Sequence, residues 1–135
     1  MKISLKNNGS VLLLTVFTVA MLSALVVGIL QITTEEIQLM QNHIYAAEAT
    51  ATAEAGLNDA FAQIRVDPNC VSGMSIGESF NGGSYSVTSE GALPDPNIIS
   101  EGTSSQGYVA RVKADITVKD TTPYVIRIDN LRVNE

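Results

Sequence analysis

Few side chains in this 135-residue chain are of a type and spacing that could do chemistry. His43, the one histidine, could act as a general base or a metal ligand, but no Cys or Asp recurs around it at ligand spacing. The expectation is an exposed histidine on a polar helical stretch. Ser104-Ser105 offers two hydroxyls, and a hydroxyl becomes a nucleophile only beside a base that takes its proton, which the surrounding sequence does not supply. Asp95, Asp129 and Glu135 carry oxygens of the kind that hold Ca²⁺, yet they lack EF-hand spacing and read as solvated acids. Cys70 is the only cysteine, so no intramolecular disulfide can form; it reads as a partly buried thiol near a helix end. No catalytic, cofactor-binding or metal-binding set is expected, and the chain reads as a protein that is not an enzyme.

The elements that carry these residues say more. From Ser10 to Thr34 no residue is charged, and 13 of the residues from Ser10 to Leu30 are Val, Leu, Ile or Phe. At about −0.3 to −0.6 kcal/mol each, those side chains favour a bilayer by roughly 4 to 8 kcal/mol. A helix of that length crosses a hydrocarbon core of about 30 Å. Thr15, Thr18 and Ser23 fit such a segment because their hydroxyls can bond back to carbonyls of the preceding turn. A secretory signal would have a shorter apolar region ending in a cleavage site, whereas this one runs on without a break. Lys2 and Lys6 precede it and no basic cluster follows, which places the N-terminus in the cytoplasm and the rest outside. Residues 31–65 carry five acids against Arg65, and residues 66–135 carry nine acids against five bases. A body so acidic is a poor match for nucleic acid or anionic headgroups. Glu35 and Glu36, just past the apolar run, are expected to be solvated, with pairing to another chain as the sharper alternative.

Nothing stops the helix after Leu30. Ile37, Met40, Ile44, Ala47 and Ala51 recur at helical steps, and no proline occurs before Pro68. The stretch AAEATATAEA at 46–55 lets a neighbouring helix approach closely. Ala53, Leu57, Ala60, Phe61 and Ile64 form a wider stripe able to seat a sheet. Gly56 is expected to weaken the helix by roughly 1 kcal/mol and to mark a flex point. Asp67-Pro68 ends a rod of about 84 Å that begins at Ser10.

Beyond it, glycines and prolines break the chain into short strands. Ser75–Phe80 and Ser84–Ser89 flank Asn81-Gly82-Gly83, a hairpin signal. The segment 92–97 reads as a loop and 98–102 as a short edge strand. Tyr108 to Val118 alternates apolar and polar with period two, a strand with one wet face. Tyr124, Ile126 and Ile128 open a second such strand. Its pattern slips at Asp129-Asn130, so Leu131 and Val133 face inward only if a bulge intervenes. The expected fold is α+β: a long N-terminal helix, half membrane-spanning and half amphipathic, packed against a small antiparallel meander.

Lys6-Asn7-Asn8-Gly9, followed by Ser10 and the apolar helix, resembles the class III leader of type IV pilins and type II secretion pseudopilins. The run GSVLLLTVFTVAMLSALVVGILQITTEEIQLM with AAEATATAEAGLNDAF after it is similar to PilX-type minor pilins, and where those have an "AAEAGL" stretch this chain has Ala53-Glu54-Ala55-Gly56-Leu57. The likeness covers roughly residues 6–65. It implies that a prepilin peptidase cuts between Gly9 and Ser10 and methylates the new amine. It divides the chain into a leader (1–9), a filament-core helix (10–31), an amphipathic continuation (32–66) and a small extracytoplasmic β domain (67–135).

As a minor pilin or pseudopilin, the chain would sit once in the inner membrane. Its partners would be the peptidase, other pilin subunits, the assembly platform and lipid, with no nucleic acid bound directly. Leu14, Ala47, Ala51 and Glu54 would lie at the assembly surface. Major pilins carry a glutamate at the place of Leu14, where it pairs with a neighbour's N-terminal amine. Its absence implies a subunit incorporated once or rarely. The bland counterpart is an uncleaved single-pass anchor holding an extracytoplasmic binding or scaffold domain.

Overall fold

The computed structural model describes residues 8–119 and 121–134. Helix α1 spans Asn8–Val66 and is followed by a 3-10 turn at Pro68–Val71. Strands β1 (Ser75–Phe80), β2 (Gly83–Glu90), β3 (Asn97–Thr103), β4 (Val109–Val118) and β5 (Ile126–Val133) complete the chain. The strands form one sheet in sequence order, each antiparallel to the next. The α+β architecture is therefore the one expected. Lys2, Lys6 and Asn7 of the leader, Asp120 and Glu135 lie outside the described residues.

The chain divides into two units, Met1–Gln41 and Asn42–Glu135. In the first, the described residues are all helical and, from Gly9 on, exposed. This helix is long and apolar enough to cross a membrane. The hydroxyls in it are satisfied within the helix itself: Thr15 donates to Leu12 O, Thr18 to Thr15 O and Ser23 to Val19 O, all at 2.8–2.9 Å. A hydroxyl bonded this way can enter hydrocarbon without leaving a donor unpaired.

In the second unit α1 continues from Asn42 to Val66 and lies on the meander. Ala53, Leu57, Ala60, Phe61 and Ile64 are buried on it against Val87, Ile98, Val112, Ala114, Ile116 and Val118, with Val71 and Met74 closing one end. Each buried Val, Leu, Ile, Phe or Met of this set contributes roughly 1.5–3 kcal/mol relative to exposure, and each alanine less. The helix stops because Asp67 turns extended, at φ −141°, and its carboxylate accepts from Asn69 N at 2.9 Å, capping the 3-10 turn that Pro68 opens. The β1–β2 hairpin turns on Asn81 (φ 48°) and Gly82 (φ 85°), the left-handed pair that a two-residue hairpin requires; Gly83 is already in the strand.

Two expectations need correction. The strand over 98–102 is not an edge: β3 lies at the centre of the sheet, between β2 and β4. Its inward row is Ile98, Ser100 and Gly102, all buried. Two of those side chains are small or absent because the helix backbone passes close by, and that conceals a central strand from an apolar count. Gly56 is not a flex point either. It is buried, and a Cβ there would stand 2.6 Å from Ser100 Oγ and 2.7 Å from Tyr85 Cδ2. Here glycine permits close approach of helix and sheet. Within the alanine-rich stretch, Ala49 and Ala53 are fully buried while Ala47 and Ala51 are exposed.

The slip in β5 is resolved by a bulge. Asp115 pairs with Asn130 and Ile116 with Ile128, so Asp129 is the extra residue. Ile126, Ile128, Leu131 and Val133 thereby share the face that carries the core row of β4. That face is not covered at this edge, where Ile128, Leu131 and Val133 remain 49%, 51% and 46% exposed.

Candidate functional site

Gly9 and Ser10 lie at the start of the described part of α1 and are exposed, and among the described residues nothing stands within 4 Å of the position a Gly9 Cβ would take. Leu14 is 62% exposed, like its apolar neighbours from Val11 to Leu30. Ala47, Ala51 and Glu54 are exposed on the part of α1 that carries the sheet.

Glu54 stands at the rim of a groove of about 220 Å³ between α1 and the β5 edge, floored by Leu57, Phe61, Val112, Ile128 and Leu131. The sequence pointed to Glu54 through the family resemblance alone. The alternation in β5 was visible, but not that the helix leaves part of it uncovered.

The residues first considered for chemistry fall into structural roles. Ser105 donates through both N and Oγ to the Glu48 carboxylate at 3.2 Å, and Ser104 Oγ accepts from Tyr108 N at 3.0 Å. Tyr108 donates to Asn42 Oδ1 at 2.5 Å, and its ring lies 5.6 Å from that of Tyr45. Together these contacts pin the β3–β4 loop to α1. The carboxylate beside Ser105 thus serves as an acceptor that orders a loop, without a third group to orient it as a base. His43 is exposed on the same helix.

Asp95 and Asp129 do come together: Thr117 Oγ1 lies 2.9 Å from Asp95 Oδ1 and 2.6 Å from Asp129 Oδ2. Arg127 Nε then pairs with Asp129 at 2.6 Å. The Thr117 hydroxyl, and after it the Arg127 guanidinium, hold the Asp129 carboxyl below the usual range. A guanidinium already fills the role a cation would have, and Glu135, the third acid considered, lies outside the described residues. Among the described residues no cluster of three or more His, Cys, Asp or Glu is placed to hold a metal ion.

Further ion pairs join Arg111 to Glu101 at 2.8 Å and Arg132 to Asp115 at 3.4 Å. All of these lie on the outer, wet face of the sheet, where such pairs contribute little to stability.

Cys70 is half-buried, and desolvation, reinforced by Asp67, raises its thiol above the ordinary value. Desolvation also raises the Tyr85 phenol, with Asp59 adding through its charge and through the hydrogen bond it accepts at 3.2 Å.

Comparison with family models, with characterised proteins and with solved structures returns no match. The arrangement on the page is a candidate membrane helix continuous in sequence with a helix that carries an antiparallel β domain.

Proposed function

We propose that this chain is a minor structural subunit of the type IV pilin or pseudopilin kind. It inserts in the inner membrane with its N-terminus cytoplasmic and its β domain outside. Prepilin peptidase removes the segment ending at Gly9 and methylates Ser10, and the mature chain joins a pilus or secretion pseudopilus at the assembly platform. The observation that carries the reading is the exposure, among the described residues, of the apolar side chains from Val11 to Leu30. Such a surface can exchange lipid for sister helices at little transfer cost, and head-to-tail packing of that kind yields an open fibre. Neither catalysis nor a cofactor nor nucleic acid has a part in this role.

The test is the N-terminus of the native protein, read by mass spectrometry from cells with an active prepilin peptidase. A methylated Ser10 is expected. Intact Met1 in those cells would overturn the reading and leave the uncleaved anchor, which the leucine at position 14 favours because it removes the intramembrane carboxylate used in repeated assembly.

A further inference from the structure

We infer that the β5 edge is a docking site for an extended strand of another protein, which adds to the sheet and lays an apolar row into the groove beside α1. Three observations converge on that occupant. β5 ends the sheet order, so among the described residues its outer side has no strand partner. Asn134 N donates to Arg111 O at 2.7 Å, and the alternation of an antiparallel ladder then turns the N–H and C=O groups of Leu131 and Val133 away from β4. Those outward groups are met in full by the backbone of an extended chain, which a helix cannot offer.

The second observation is the uncovered row. Ile128, Leu131 and Val133 point to the helix side, and Ile128 and Leu131 complete the groove with Leu57, Phe61 and Val112. A strand laid beside β5 places every second side chain over that row, so its inward residues are apolar. Natural edges are guarded by charges or by bulges that spoil pairing. Here the ion-paired charges lie on the opposite face, and the bulge at Asp129 comes before Leu131 and Val133, leaving that stretch open.

The third is charge. Glu54 is exposed at the rim, and no ion pair is made to it among the described residues. The incoming strand therefore carries a basic side chain where it passes α1. The inference does not rest on the filament reading, because an uncleaved anchor presents the same edge.

The test uses the full chain in lipid nanodiscs and a fluorescent synthetic octapeptide of alternating Val and Thr ending in Lys, with empty nanodiscs as the blank. Saturable binding is expected, with slower amide exchange at Leu131 and Val133. A peptide N-methylated at the ladder-facing amides keeps its side chains but cannot add a strand, and should bind at least about tenfold more weakly. Leu131→Arg, a change at an exposed position, should weaken binding by a similar factor, and Glu54→Gln should weaken it several-fold at low salt. Absence of binding overturns the inference. So does equal binding of the N-methylated peptide or unchanged affinity in Leu131→Arg, either of which would assign the peptide to lipid or to another surface. Unchanged affinity in Glu54→Gln overturns the charge assignment.

Discussion

Ser100 on the central strand donates its hydroxyl to the carbonyl of Ala53 on α1 at 2.6 Å, and both residues are fully buried. Two residues along the strand, a Cβ on Gly102 would stand 2.3 Å from Ala53 N and 2.4 Å from Ala49 O. Helix and sheet meet here backbone to backbone, which explains why the alanines and glycines of both elements occupy this crossing.

The two glycines at the crossing should respond differently to the same change. Gly56→Ala adds helix propensity worth about 1 kcal/mol, but its Cβ meets the Ser100 hydroxyl and the Tyr85 ring, side chains able to shift. A net loss of roughly 1–2 kcal/mol is expected. Gly102→Ala meets helix backbone, which cannot step aside, and should cost more, about 3 kcal/mol or above. Urea unfolding of the β domain in the membrane-inserted chain measures both, and a milder effect at Gly102 would contradict the backbone contact.

Leu22→Lys places a charge midway along the apolar run. At about 2.5–3.5 kcal/mol for a central lysine, stable insertion should fall. Carbonate extraction of membranes reads this directly, and an unchanged membrane fraction would count against a spanning helix.

Gly9→Leu should block removal of the leader and leave a longer precursor in the membrane fraction. Normal processing, seen as wild-type mobility and a free Ser10, would show that the leader assignment is wrong.

Asp129 carries a pH prediction. Its folded carboxyl titrates lower than in the unfolded chain, because Thr117 and Arg127 stabilise the charged form. The stabilisation is therefore fully present above the unfolded aspartate value of about 3.9 and is lost as pH falls below that through the lower folded value. Asp129→Asn should lower stability modestly above a pH of about 5, where the wild-type contribution is fully present, and converge on wild type as pH falls, so that its acid limb is shallower. An acid limb identical to wild type would remove Asp129 from the account.

Cys70 should react slowly with alkylating agents near neutral pH, since burial and then the Asp67 charge hold the thiol in its neutral form. Asp67→Asn keeps a side chain able to cap the 3-10 turn while deleting the charge, and should speed alkylation modestly. No change would leave desolvation as the sole cause.

Much of this was legible because it depends on neighbours in sequence. The proline-free run to Asp67, the Asn81-Gly82 turn and the alternation through Val112, Ala114, Ile116 and Val118 are local signals, and each element stands where its signal lies. The need for a bulge beside Asp129 also followed from counting alternate residues. The central place of β3 was hidden because Ser100 and Gly102 are small where the helix presses on them, and such residues look like an edge or a loop. Gly56 was misread as a point of flexure for the same reason.

Sequence alone determined the apolar membrane-length run, the order of helix and strands and the alternation in each strand, because side-chain polarity and backbone propensity act over a few residues. Tertiary structure decided which small residues are contacts, which of the alanines in the 46–55 stretch remain outside, and that Ile128, Leu131 and Val133 stay open beside Glu54. Those outcomes depend on how far the helix reaches across the sheet, a distance set by packing between residues nearly fifty positions apart, such as Ala53 and Ser100.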